Sequence, residues 1–147
     1  MADGYDAALA ILSQDVQSSP AVFEQPNTKL GNFTEPSLGM KVAKYGVRTR
    51  FTRGIVDGIE GSFAVPYGER PEDRFWMSGI RITVDPKHPP DGNEISLRGD
   101  SGSVWYNIET SEIVALHFAG EDNITLQYEY SLAHPITRIA SLLEFEP

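Results

Sequence analysis

The segment Leu97-Arg98-Gly99-Asp100-Ser101-Gly102-Ser103-Val104 sets a serine between glycines, directly after an aspartate. A serine becomes a useful nucleophile when its Oγ is exposed and nearby N–H groups converge on the developing oxyanion. Gly99 lets the chain turn so that its own N–H and that of Ser101 aim at one hole. Gly102 leaves room for a substrate backbone. The same residues also suit a plain glycine-rich turn, where Gly and Ser are common. The α/β-hydrolase elbow does not fit, because it needs Gly two residues after the serine and then a helix. Position 103 is Ser, and a strand pattern follows. The triplet Arg98-Gly99-Asp100 matches an integrin-binding tripeptide, a match too short to carry information.

Other reactive groups are sparse. There is no cysteine, which excludes a thiolate nucleophile, a disulfide scaffold and metal sites built on Cys. The three histidines, His88, His117 and His134, are isolated and form no HExxH. The loop from Asp85 to Glu94 lacks the calcium-loop pattern. No metal site and no cofactor is therefore indicated. Asn32-Phe-Thr34 and Asn123-Ile-Thr125 match glycosylation acceptors but carry little weight without a secretory signal.

The chain has 147 residues, enough for one domain that folds without a staple. Its 40% hydrophobic and 22% charged fractions argue against wholesale disorder. A net charge of −9 repels phosphate backbones, so nucleic acid is not an expected partner. Lys41, Lys44, Arg48, Arg50 and Arg53 alternate with apolar residues and read as a solvated sheet face. No apolar run approaches the roughly 18 residues of a membrane-crossing helix, and no membrane partner is expected. The compartment stays open.

The elements that must hold Ser101 read as short strands, because 13 glycines and 10 prolines punctuate short apolar runs. Tyr5 to Leu12 is apolar and fits a buried strand or a helical turn. Ser13 to Ser37 is polar and broken by Pro20, Pro26 and Pro36, and reads as a connector. Strand candidates follow at Met40–Tyr45, Phe51–Val56, Ser62–Tyr67, Phe75–Val84, Ser103–Asn107, Ile113–Phe118 and Leu126–Leu132. The second and third are split by Gly58 and Gly61. The pattern changes period at the end, where Ile136, Ile139, Ala140 and Leu143 fall on one helical face, with Pro135 at the favoured first helical position. The expected fold is all-β, a small antiparallel barrel of about six strands with a C-terminal helix.

Gly99 to Gly120 (GDSGSVWYNIETSEIVALHFAG) resembles the nucleophile loop, following hairpin and cleft-lining strand of trypsin-like, chymotrypsin-fold serine proteases. The form Gly-Asp-Ser-Gly-Ser with Leu-His-Phe-Ala-Gly resembles bacterial glutamyl-endopeptidase-type members more than digestive trypsins. Gly39 to Ile59 (GMKVAKYGVRTRFTRGIVDGI) resembles the opening strands of the family's C-terminal barrel. The resemblance implies a six-stranded antiparallel Greek-key barrel over residues 39–147, an inter-barrel linker over 13–38, and over 1–12 a remnant strand of an N-terminal barrel. It implies Ser101 as nucleophile and the N–H groups of Gly99 and Ser101 as oxyanion hole. Asp6, in Asp-Ala-Ala-Leu-Ala-Ile-Leu, resembles the triad aspartate, whose role is to orient and stabilise a histidine.

The histidine of that triad is absent from the expected place before Asp6. The resemblance thus implies the C-terminal part of a serine endopeptidase, with the general base supplied from outside this chain and the isolated chain inactive. Partners would be a peptide or protein substrate and the missing N-terminal barrel, in cis or trans. His117 has two readings, a core-lining histidine bonded to backbone or a pocket residue favouring Glu or Gln beside the scissile bond. Phe118, Ala119 and Gly120 would offer backbone groups to an extended substrate. A non-catalytic peptide-binding module, a pseudoprotease, is the alternative function. A homo-oligomer formed through surface meant for the absent barrel is a third possibility.

Overall fold

A computed structural model describes residues 4–67, 70, 72–121 and 129–147. Ahead of the main sheet lies a small hairpin, β1 (Ala21–Val22) and β2 (Gln25–Lys29), inside the stretch read as a connector. Its Val22 is buried with Ala43 and Tyr106, so the connector packs on the barrel wall. Residues 5–12 adopt no regular element, and Gly4 makes a single parallel bridge to Met77.

The main sheet comprises β3 (Lys41–Gly46), β4 (Arg50–Pro66), β5 (Arg74–Val84), β6 (Val104–Asn107), β7 (Ile113–Gly120) and β8 (Tyr130–Pro135). All pairings are antiparallel, and the ring runs β3-β4-β5-β8-β7-β6 before closing on β3. The fold is the six-stranded antiparallel barrel the sequence leads one to expect. Closure removes exposed strand edges, which is why short strands suffice.

One detail differs from the sequence pattern. Phe51–Val56 and Ser62–Tyr67 fall, all but Tyr67, in one 17-residue strand rather than two. The register against β5 shifts between Val56 and Gly58 and again between Gly58 and Gly61. The glycines mark bulges that bend a continuous strand, not a turn between two. The last strand begins at Tyr130 among the described residues, and the first part of the expected Leu126–Leu132 strand, like Asn123-Ile-Thr125, lies outside them.

The barrel interior holds Val42, Val56, Ile80, Ile82, Ile95, Trp105, Val114, Ala115 and Ala133. Burying each large aliphatic side chain there contributes about 1.5–3 kcal/mol. Helix α1 (Ile136–Leu143) follows β8 directly and buries Ile136, Ile139 and Ala140. Pro135 stands one position ahead of the helix, as its N-cap, and the helix ends where Glu144 turns left-handed. The helical face therefore holds the β7–β8 side of the barrel, the side that carries His117 to Gly120.

Candidate active site

Residues from three distant segments line one open cleft of about 490 Å3. Asp6 comes from the N-terminal segment, Ser101 from the turn before β6, and His117, Phe118, Ala119 and Gly120 from β7. Tyr67, Leu97, Arg98 and Tyr130 complete much of the wall. A larger hollow of about 570 Å3 lies between α1 and the β4–β5 ribbon, and Ser101 is not part of it.

The turn around Ser101 is built by backbone conformation. Gly99 (φ 105°) and Gly102 (φ 86°) both occupy the left-handed region that favours glycine. Gly102 N–H donates to the His117 carbonyl at 2.9 Å, and His117 N–H donates to the Ser103 carbonyl at 2.9 Å. These bonds fix the turn to β7. Ser101 is exposed, and its Oγ donates to the Phe118 carbonyl at 3.4 Å. Neither the Gly99 nor the Ser101 N–H is engaged by an acceptor among the described residues. Gly99 is packed against Arg48, whose Cγ a side chain at position 99 would crowd.

Asp100 points the other way and anchors the turn from below. Its buried carboxylate accepts from Arg48 N–H (2.8 Å), Thr49 Oγ1 (2.7 Å), Leu97 N–H (3.0 Å) and Lys44 Nζ (3.3 Å). Burial opposes its ionisation. The bonds from Thr49, Leu97 and Arg48 and the charge of Lys44 outweigh that and hold its pKa at about 2. Lys44 exposes no surface, which corrects its assignment to a solvated face. An ammonium is tolerated there because Asp100 and Thr49 Oγ1 (2.7 Å) satisfy it and the Trp105 ring lies 5.3 Å away. Burial pulls its pKa down, and Asp100 opposes that. Lys41, Arg48 and Arg50 are exposed as expected.

Asp6 is held at both ends. Its N–H donates to His134 Nε2 at 2.9 Å, and its carboxylate accepts from the Tyr67 hydroxyl. Burial and the Asp6 carboxylate both push the Tyr67 phenol upward, so it stays a donor. His134, Tyr67 and Lys44 are site residues that sequence reasoning missed. Each acts through a partner at least 56 positions away, and no local pattern signals such a pair.

His117 is buried, with Nδ1 2.8 Å from Ser131 Oγ, and its ring also bonds the Leu132 backbone. Burial and the nearby Lys44 charge lower its pKa to about 4, so it is neutral at pH 7. His88 lies on the loop after β5, its Nδ1 3.0 Å from Asp85 Oδ2. Glu129, beside the cleft residue Tyr130, was also missed. Burial and the charges of Glu94 and Glu121 raise it to about 7. No group of three His, Asp or Glu side chains among the described residues is arranged to hold a metal.

No family model and no curated protein matches the chain. Solved structures do. The chymotrypsin of Cellulomonas bogoriensis superposes with TM-score 0.59 at 18% identity, covering 81% of this chain and 55% of that one. Protease A of Thermobifida fusca gives 0.59 at 16% identity, covering 81% and 54%. A glutamic-acid-specific serine protease, described as using a histidine triad in substrate binding, gives 0.56 at 17% identity and covers 97% and 62%.

The barrel has the chymotrypsin fold.

At these identities the likeness establishes the architecture. The chain spans between about half and two-thirds of the length of these proteases. Within the chymotrypsin-fold barrel, Ser101 stands at the rim of the cleft with its Oγ on the β7 backbone.

Proposed function

We propose that this chain supplies the nucleophile and substrate cleft of a serine endopeptidase. One observation carries the reading. The exposed Ser101 shares a cleft with Asp6 and with the Phe118–Gly120 backbone, beside N–H groups of Gly99 and Ser101 that no neighbouring acceptor takes.

In this reading Ser101 Oγ gives its proton to a histidine and bonds the scissile carbonyl carbon. The carbonyl oxygen becomes an anion, stabilised by the Gly99 and Ser101 N–H groups. The C–N bond then breaks, the histidine returns its proton to the leaving amine, and water hydrolyses the acyl-enzyme ester. Asp6 orients that histidine. None of the three histidines in this chain serves as the base. His117 is buried with its Nδ1 on Ser131 Oγ, His134 is buried with both ring nitrogens engaged, and His88 sits on the loop after β5 and does not line the cleft. The base comes from the absent N-terminal barrel, in cis or trans, and the chain alone is inactive. His117 is part of the wall that meets the side chain next to the scissile bond. A neutral imidazole recognises by hydrogen bonding, so Gln suits it as well as Glu.

The absence of a base in the described cleft also supports a second reading, a module that holds extended peptides without cutting them. Labelling the folded full-length protein with a fluorophosphonate decides between them. Modification of Ser101, abolished in Ser101→Ala, supports the enzyme. An unlabelled folded protein that binds peptides supports the module.

A further inference from the structure

We propose that His134 is a positioning residue that seats Asp6 in the cleft through a single tautomer, the one with its proton on Nδ1. The proposal deepens the reading of Asp6 as the triad carboxylate and rests on it.

His134 exposes no surface. Its Nδ1 lies 2.6 Å from the Ser78 carbonyl oxygen on β5. A carbonyl only accepts, so Nδ1 carries the hydrogen. Nε2 is then left with its lone pair, and it accepts the Asp6 N–H at 2.9 Å. The two partners have fixed and opposite polarity, and together they select one neutral tautomer. Phe118 of β7 stacks on the ring at 3.9 Å and 10°, and Tyr5 leans on it at 5.1 Å. The ring therefore cannot swing to offer another edge.

The Tyr67 hydroxyl holds the Asp6 carboxylate, but few backbone bonds hold this segment. Gly4 N–H donates to the Trp76 carbonyl at 2.7 Å, and Ser78 N–H donates to the Gly4 carbonyl at 3.1 Å. Beyond Asp6 the chain is without regular structure until β1. The His134 bond is thus the last backbone tie before the carboxylate enters the cleft.

Protonation would break the latch. An imidazolium puts a second hydrogen on Nε2, directly against the Asp6 N–H. Of the groups facing His134, Asp6 is charged and favours protonation, while Tyr5, Ser78 and Phe118 bring no charge. His117, also on β7, is neutral. Burial is the larger influence and keeps the ring neutral near pH 7. Acidification should therefore release Asp6 while the barrel remains folded.

The test is NMR of the 15N-labelled chain, following Asp6 amide exchange and the His134 ring against pH. Two variants separate positioning from mere filling. In His134→Gln a carbonyl oxygen can still reach the Asp6 N–H, whereas the side chain of His134→Asn is too short. The wild-type Asp6 amide should be protected near neutrality and lose protection in step with protonation of His134. Gln should keep the protection without the pH step. Asn should lose it at least about tenfold at every pH, with Ile80 and Ala133 amides unchanged. Equal protection of Asp6 in Asn and wild type would overturn the proposal. So would an Asp6 signal that ignores the His134 titration, a result available even if Asn does not fold. Fluorophosphonate labelling of the full-length protein separates the two layers. Failure to label Ser101 while Asp6 still follows His134 sinks the protease reading and leaves the latch. Full-rate labelling in a folded His134→Asn protein sinks the positioning role.

Discussion

Lys44 Nζ lies 3.3 Å from Asp100 Oδ2, and neither side chain exposes any surface. This pair connects β3 to the turn that presents Ser101. A buried charge left without its partner is strongly destabilising, whereas loss of both partners costs less. Lys44→Met should lower unfolding stability by about 3 kcal/mol, since the other donors to Asp100 remain. The double variant Lys44→Met/Asp100→Asn should lose less than the sum of the two singles. Urea denaturation at pH 7 measures both, and strict additivity would show that the pair is not coupled.

Gly46 is the close approach that lets Asp100 reach this site. A Cβ at that position would collide with the Asp100 carboxylate. Gly46→Ala should therefore destabilise the chain by about 1–3 kcal/mol and move the amide signals of Leu97 and Thr49. Gly31 has open space around it, so Gly31→Ala should leave those signals unchanged.

The acid side of the stability profile contains two opposing slopes. Burial holds His117 at a folded pKa of about 4, below the ordinary 6.5. The unfolded chain takes up its proton first, so stability falls as pH drops from 6.5 towards 4, by roughly 3 kcal/mol in all. Glu129 has a folded pKa of about 7 against 4.5. It favours the neutral form when folded, so stability rises as pH drops from 7 towards 4.5. His117→Gln should unmask the Glu129 slope, and Glu129→Gln should steepen the fall due to His117. Asp100, at about 2, keeps its contribution throughout this window and loses it only below about 3.8. Denaturant midpoints between pH 4 and 8 test the signs.

Helix α1 fastens the cleft-bearing strands. Ile139 is 2% exposed, so Ile139→Ala should cost about 2–5 kcal/mol. Leu142, on the solvent side at 55% exposure, should cost much less when cut to Ala. Similar losses at both positions in thermal unfolding would contradict the docking described.

Much of this fold can be read from local pattern. Gly and Pro punctuation located the strands, and the change of period at Ile136 located the helix. Ser101 was legible because its neighbours at 99, 100 and 102 do the work of the turn. Lys44 was not, because alternation along β3 suggests a solvated lysine, and only Asp100, brought near by barrel closure, makes burial tolerable. The same holds for His134, whose meaning depends on Asp6 at the far end of the chain. Gly58 and Gly61 misled for a different reason: a glycine that bends one strand looks, in sequence, like a glycine that separates two.

In the proposed endopeptidase the Ser101 hydroxyl is the nucleophile. Mass spectrometry of the folded full-length protein after fluorophosphonate treatment tests it most directly. One adduct per chain is expected on the peptide containing Ser101, absent in Ser101→Ala and weakened by Asp6→Asn. A folded protein that carries no adduct, or carries it on another serine, would contradict it.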